Sequence, residues 1–183
     1  MFRAKAVIVA CVFGLLAGCG AHKVQQQQGT PISGAKVLVQ QFDLAGVKVD
    51  SYEGSTAGFG LEFAQALSKK LQEAGLQAEA VPDGAAIPPG AYVVKGQVIH
   101  IDGGSRAARY WAGFGAGATE FAVKGQVLGK SSETVGTFVD ARRSGFGMFG
   151  GDSEALMHRC VESVAEDVAQ MITTGNYKDT YSK

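Results

Sequence analysis

The chain has 183 residues, 46% hydrophobic and 19% charged, with 17 Lys+Arg balanced by 17 Asp+Glu. That balance lacks the basic excess by which a nucleic-acid-binding protein grips phosphate, so no nucleic-acid partner is expected. The length suits a single domain with a real core once processing segments are set aside.

The first segment is such a piece. Arg3 and Lys5 precede AVIVACVFGLL (residues 6–16), an apolar run followed by the small residues Ala17 and Gly18. A basic start, a short apolar stretch and a small-residue cleavage point make a secretory signal. Eleven apolar residues fall short of the roughly 20 a transmembrane helix needs. LAGC (16–19) resembles the bacterial lipobox. That resemblance implies that residues 1–18 are a lipoprotein signal peptide and that Cys19 is the lipid-bearing mature N-terminus. Gly20, in place of Asp, resembles the enteric signal for transfer to the outer membrane. Several acyl chains, each contributing about 0.8 kcal/mol per buried CH₂, hold a protein to a membrane almost permanently. Loss of Arg3 and Lys5 leaves 15 basic against 17 acidic residues.

Residues 19–33, with QQQQ at 25–28, read as a solvated, lipidated tether, and 34–183 as a single α+β domain. Residues 35–42 (AKVLVQQF) predict a buried strand, and Val47–Val49 a short extended piece. Ser55 or Thr56 is placed to cap a helix over about 59–74, whose Phe63, Leu67 and Leu71 recur every four residues, with Phe59 and Ala66 flanking them. Gly75 stops it. Strands follow at 76–81 and 91–102, the latter ending near His100, expected to be a hydrogen-bonded or solvated side chain. Further strands at 119–129 and 133–143 predict a hairpin. A last helix, capped by Asp152 or Ser153, runs to about 174. Its Met157, Cys160, Val161, Val164, Val168, Met171 and Ile172 share one face, and His158, Arg159, Glu162 and Glu166 lie largely opposite. NYKDTYSK reads as a polar tail. The architecture expected is α+β, a largely antiparallel sheet with two amphipathic helices packed on one face. Cys11 leaves with the signal and Cys19 with lipid, so Cys160 has no disulfide partner and is expected as a small buried hydrophobe.

VKGQV occurs twice, at 94–98 and 123–127. A mid-strand glycine weakens a strand unless something comes close. The echo predicts two neighbouring strands crossing a bulky group such as a helix phenylalanine.

GFGAGA (113–118) fits G-x-G-x-x-G/A, yet a dinucleotide loop must open a helix. Here TEFAVKGQVLG alternates, a strand's period, and no cofactor is expected. The glycines belong to a longer segment, 103–118, with Arg106, Arg109, Tyr110 and Trp111, the chain's single tryptophan. Arg, Tyr and Trp are the side chains enriched where proteins grip partners, and Gly113, Gly115 and Gly117 let the segment turn sharply. Those seven residues are the expected partner-binding set; the alternative is a twisted hairpin whose aromatics complete the core.

IDGGSRAAR (101–109) and GFGAG (113–117), after a lipobox and before an alternating strand and a final amphipathic helix, resemble a Gram-negative lipoprotein family catalogued as domain of unknown function 4410. The resemblance implies a periplasm-facing domain of unassigned activity. A more distant fold-level similarity, to lipoprotein domains of the curli-secretion and penicillin-binding-protein-activator kind, warrants nothing about activity.

The function expected is a non-catalytic outer-membrane lipoprotein that binds an envelope protein or assembly, as a monomer or homo-oligomer. The alternative is an oligomer whose glycine-rich segment 110–123 enters the membrane or forms a pore, since 9–11 residues suffice for a spanning strand. No catalytic or metal-ligating set is expected: Asp43, Asp50, His100, Asp102 and Asp140 have no spacing that predicts a reactive pair.

Overall fold

The computed structural model describes residues 25–105, 117–144 and 153–181. The signal peptide, Cys19, Arg106, Arg109, Tyr110, Trp111, Gly113, Gly115 and Asp152 lie outside them.

In chain order the elements are β1 (Gln25–Gln28), β2 (Lys36–Gln40), β3 (Lys48–Asp50), α1 (Phe59–Glu73), β4 (Gln77–Val81), β5 (Tyr92–Asp102), β6 (Thr119–Leu128), β7 (Thr134–Ser144), α2 (Ser153–Thr174) and β8 (Asn176–Asp179). The strands form one sheet, ordered β1-β8-β7-β6-β5-β2-β4, with β3 also on β5. The β5–β6–β7 meander and the β1–β8 pair are antiparallel. β2 runs parallel to both β4 and β5, and β3 parallel to β5. The α+β reading therefore holds. The parallel corner arises because α1 carries the chain from β2 back to the same sheet end before β4 begins.

Both helices pack on one face, α1 against β2 and β4, α2 against β6, β7 and β8, and against each other. The predicted apolar faces fill the core: Phe63, Leu67, Leu71, Val164, Val168 and Ile172 have essentially no solvent exposure. Phe42 meets Phe63 edge-to-face at 4.7 Å, and Phe63 stacks obliquely on Phe121 at 5.9 Å. Such pairs add about 0.5–1.5 kcal/mol beyond their buried area. Cys160 is buried as expected, its thiol pushed up to about 11 by burial.

α1 begins differently from expectation. Its N-cap is Gly58, with no side-chain cap, and Phe59 N–H bonds the Thr56 carbonyl. Gly60 sits so close to the chain after β2 that a Cβ would lie 2.0 Å from the Phe42 oxygen. Its end is as read: Gly75 is left-handed (φ 86°), with Gly75 N–H bonded to Gln72 O and Leu76 N–H to Leu71 O. That is the Schellman pattern.

Two polar stretches turn out to be strands. Gln25–Gln28, read as tether, pairs residue for residue with Asn176–Asp179, read as tail. The cause is Tyr177, which has no exposed surface. A Cβ on either Gly29 or Gly136 would fall inside contact distance of its ring. Ile32, also counted with the tether, is buried against the core.

Asp140, on β7, points inward toward α2. Its Oδ1 accepts from Thr180 Oγ1 at 2.6 Å, while Oδ2 is buried with no partner. Burial first, and Asp167 second, push its carboxyl up to about 6 despite the Thr180 bond. The folded chain thus keeps a proton that the unfolded chain releases near pH 4, so this group's contribution to stability falls as pH rises from about 4 to 6 and stays low above. Asp140→Asn keeps the shape and turns an amide toward Asp167. It should stabilise the protein by about 3 kcal/mol at pH 7.5, given about 1.4 kcal/mol per pKa unit, and flatten the slope between pH 4 and 6. Urea denaturation at pH 5 and 7.5 checks both; a variant no more stable at pH 7.5 refutes the account.

Candidate functional site

Strand alternation sends Ile101 and Phe121 into the core and their neighbours His100 and Glu120 to the face the helices leave bare. The sheet register places Lys48 beside His100 and Asp50 beside Asp102 on β3 and β5, and Glu120 beside Arg143 on β6 and β7. Four strands therefore bring one polar cluster together at the end of the β5–β6 hairpin.

His100 is its centre and is 2% exposed. Its Nδ1 lies 2.7 Å from Glu120 Oε1 and its Nε2 2.8 Å from Asp50 Oδ2. Arg143 donates to the other oxygen of Glu120, and Lys48 to Asp50. Burial alone would raise Glu120, but the His100 and Arg143 hydrogen bonds outweigh it and hold the carboxyl below the usual carboxylate range. Lys48 first, then His100, hold Asp50 low as well. A chain of polar contacts thus runs from Arg143 through Glu120, His100 and Asp50 to Lys48. Asp102 stands next to them, its Oδ1 accepting Gly104 N–H at 2.8 Å. One donor atom each from Asp50, His100 and Asp102 lies within 4.8 Å of the others.

The segment 103–118 leaves and re-enters the fold at this cluster. Gly104 (φ 68°) and Gly117 (φ 73°) are both left-handed, and a Cβ on Gly104 would lie 2.2 Å from Gly117 O. Thr119 Oγ1 donates to Gly103 O at 3.2 Å, closing the root. Of the predicted partner-binding residues, Gly117 alone is among those described, and it serves this closure. Thr119–Leu128 is a strand, as the alternation required, so no helix follows the glycines. Residues 119–123 of the segment considered for membrane entry are buried in β6, between β5 and β7.

His100 is hydrogen-bonded, as expected, but buried rather than solvated. Of the acids with no predicted pairing, Asp50 and Asp102 join it. Asp43 instead accepts from Ala45 N–H and Gln97, and Asp140 lies on the opposite face. Glu120, Arg143 and Lys48 were not singled out from sequence. Glu120's outward position on a strand just past the loop is the signal that could have found it.

Along the same bare face, Lys95, Gln97, Lys124, Gln126, Thr137 and Val139 border a shallow concavity of about 500 Å³, which Gly96 and Gly125 also line. The two glycines face each other across β5 and β6. The bulky groups crossing them are Phe42 and Phe138, not a helix phenylalanine.

Comparison with known proteins gives a family and a fold. The family described as domain of unknown function (DUF4410) matches residues 37–147. No curated protein matches. A PelC variant from Paraburkholderia phytofirmans, solved as a dodecamer, is similar at 17% identity with a TM-score of 0.52, covering 83% of this chain and 98% of that one. A Helicobacter pylori protein described as a neuraminyllactose-binding hemagglutinin homolog gives 12% identity and 0.39, over 80% and 89%. A Caulobacter crescentus protein described as a lipoprotein gives 13% and 0.35, over 71% and 89%. None of the three is named as an enzyme.

Proposed function

We propose that this chain, which belongs to the DUF4410 family, is a non-catalytic outer-membrane lipoprotein, anchored through Cys19, whose periplasm-facing domain binds an envelope protein or assembly. The observation that carries this reading is the one-sided sheet. Both helices cover one face, and the other is left with a shallow concavity and the closed root of the 103–118 segment. A rigid scaffold presenting a segment rich in Arg, Tyr and Trp suits contact with a partner. Arg106, Arg109, Tyr110 and Trp111 provide the grip, and Gly113 and Gly115 the turns. Self-association is part of the reading, since the PelC relative in fold is a dodecamer.

Replacing Arg109 and Trp111 together with Ala should abolish co-purification of crosslinked envelope partners while the thermal melt stays that of the wild type. Unchanged partner recovery refutes the assignment. Trp111 fluorescence separates the membrane-entry alternative: a liposome-induced blue shift supports entry, and an unchanged spectrum supports a protein partner.

A further inference from the structure

We propose that Asp50, His100 and Asp102 form a binding site for a divalent transition-metal ion such as Zn²⁺, with Glu120 as the positioning residue. This goes beyond the partner-binding reading and does not depend on it.

Three observations converge. The donor set, one imidazole nitrogen and two carboxylates within 4.8 Å of one another, is compact enough to close on a single ion. It stands on paired strands: Asp50 is the register partner of Asp102, and Gly103 N–H bonds Asp50 O at 2.9 Å. The ligands are thus held by backbone rather than by a loop alone.

The second observation concerns the histidine. Metal-binding imidazoles characteristically give their other ring nitrogen to a carboxylate, which fixes the ring. Here Nδ1 is given to Glu120, itself 3% exposed and held in turn by Arg143. Nε2, 2.8 Å from Asp50 Oδ2, is the nitrogen that would turn to the ion in place of that contact.

The third is electrostatic. Like charges directly opposite on neighbouring strands destabilise a sheet, yet the fold sets Asp50 and Asp102 side by side with Glu120 close behind. The cation now at Asp50 is the Lys48 ammonium, whose side chain is 60% exposed. An ion between the aspartates would replace it and pin β3 to β5 at the root of the 103–118 segment. Asp50 is partly exposed, which leaves coordination positions open to water.

The test uses the full chain in detergent, stripped with EDTA and titrated with Zn²⁺ by calorimetry, and with Co²⁺ by visible absorption. The wild type should bind one equivalent and show the d–d bands of a low-coordinate Co²⁺ site. Asp50→Asn and Asp102→Asn should each weaken binding by at least tenfold, and Glu120→Gln by roughly 10–100-fold, the range for an orienting partner. Lys48→Ala should bind at least as tightly as the wild type. Melts in EDTA verify folding, and the half-exposed Asp50 variant decides if a buried one fails to fold. Absence of stoichiometric binding to the wild type, or Asp50→Asn binding as tightly as wild type, overturns the proposal.

Discussion

Gly96→Ala should cost about 3 kcal/mol or more, at the upper end of what overpacking a core does, and lower the melting temperature by about 10 °C. A Cβ there would sit 2.1 Å from Lys124 O and 2.7 Å from Gly125 Cα, and both are backbone atoms of the adjacent strand that no rotamer change can move. Gly125→Ala is the instructive partner. Its Cβ would meet Phe138 Cζ at 2.5 Å and Lys95 O at 2.9 Å, so the worst contact is with a ring that can be trimmed. Phe138→Leu should therefore relieve part of the Gly125→Ala loss and none of the Gly96→Ala loss. Urea denaturation of the two double-mutant cycles measures that difference as a coupling energy. Equal couplings, or a Gly96→Ala variant as stable as the wild type, would contradict the packing described.

A chain begun at residue 34, where the sequence places the domain start, should be destabilised by about 3 kcal/mol or more relative to one begun at residue 24. The longer chain contains β1 and Ile32; the shorter removes the strand that pairs with β8 and uncovers Tyr177 beside Gly29. Burying an Ile side chain alone is worth about 1.5–3 kcal/mol. Denaturation midpoints of the two chains provide the comparison, and coincident midpoints would mean that β1 adds nothing to the fold.

These two cases mark where reading the sequence succeeds and fails. α1 and α2 were legible because their apolar residues repeat at helical spacing over four or more turns, and β5, β6 and β7 because they alternate over about ten residues each. β1 and β8 were not, since QQQQ and NYKD carry neither period. What makes them strands is one tyrosine and two glycines brought together from three parts of the chain. The repeated VKGQV correctly announced two crowded neighbouring strands. It could not say which rings do the crowding, because Phe138 reaches Gly125 through the β6–β7 register and Phe42 through the turn after β2.

The polar cluster was half legible in the same sense. His100 stood out as a strand-end histidine. Its partners did not, because Asp50 is 50 residues away and reaches it only by parallel pairing of β3 with β5. A register shift between Val98 and His100 also decides which β6 residue the imidazole meets. The segment 106–116, the most distinctive in composition, lies outside the described residues, so its assignment rests on residue types and on the geometry of its root.

β1 also sets a leash. If Cys19 carries the lipid, as proposed above, only the six steps to Gln25 would separate the anchor from the first strand of the folded body, and a fully extended chain of that length spans about 20 Å. The sheet edge carrying β1 must then ride within roughly that distance of the bilayer. The domain would patrol the membrane surface rather than sweep the periplasm, and any partner would have to approach it there.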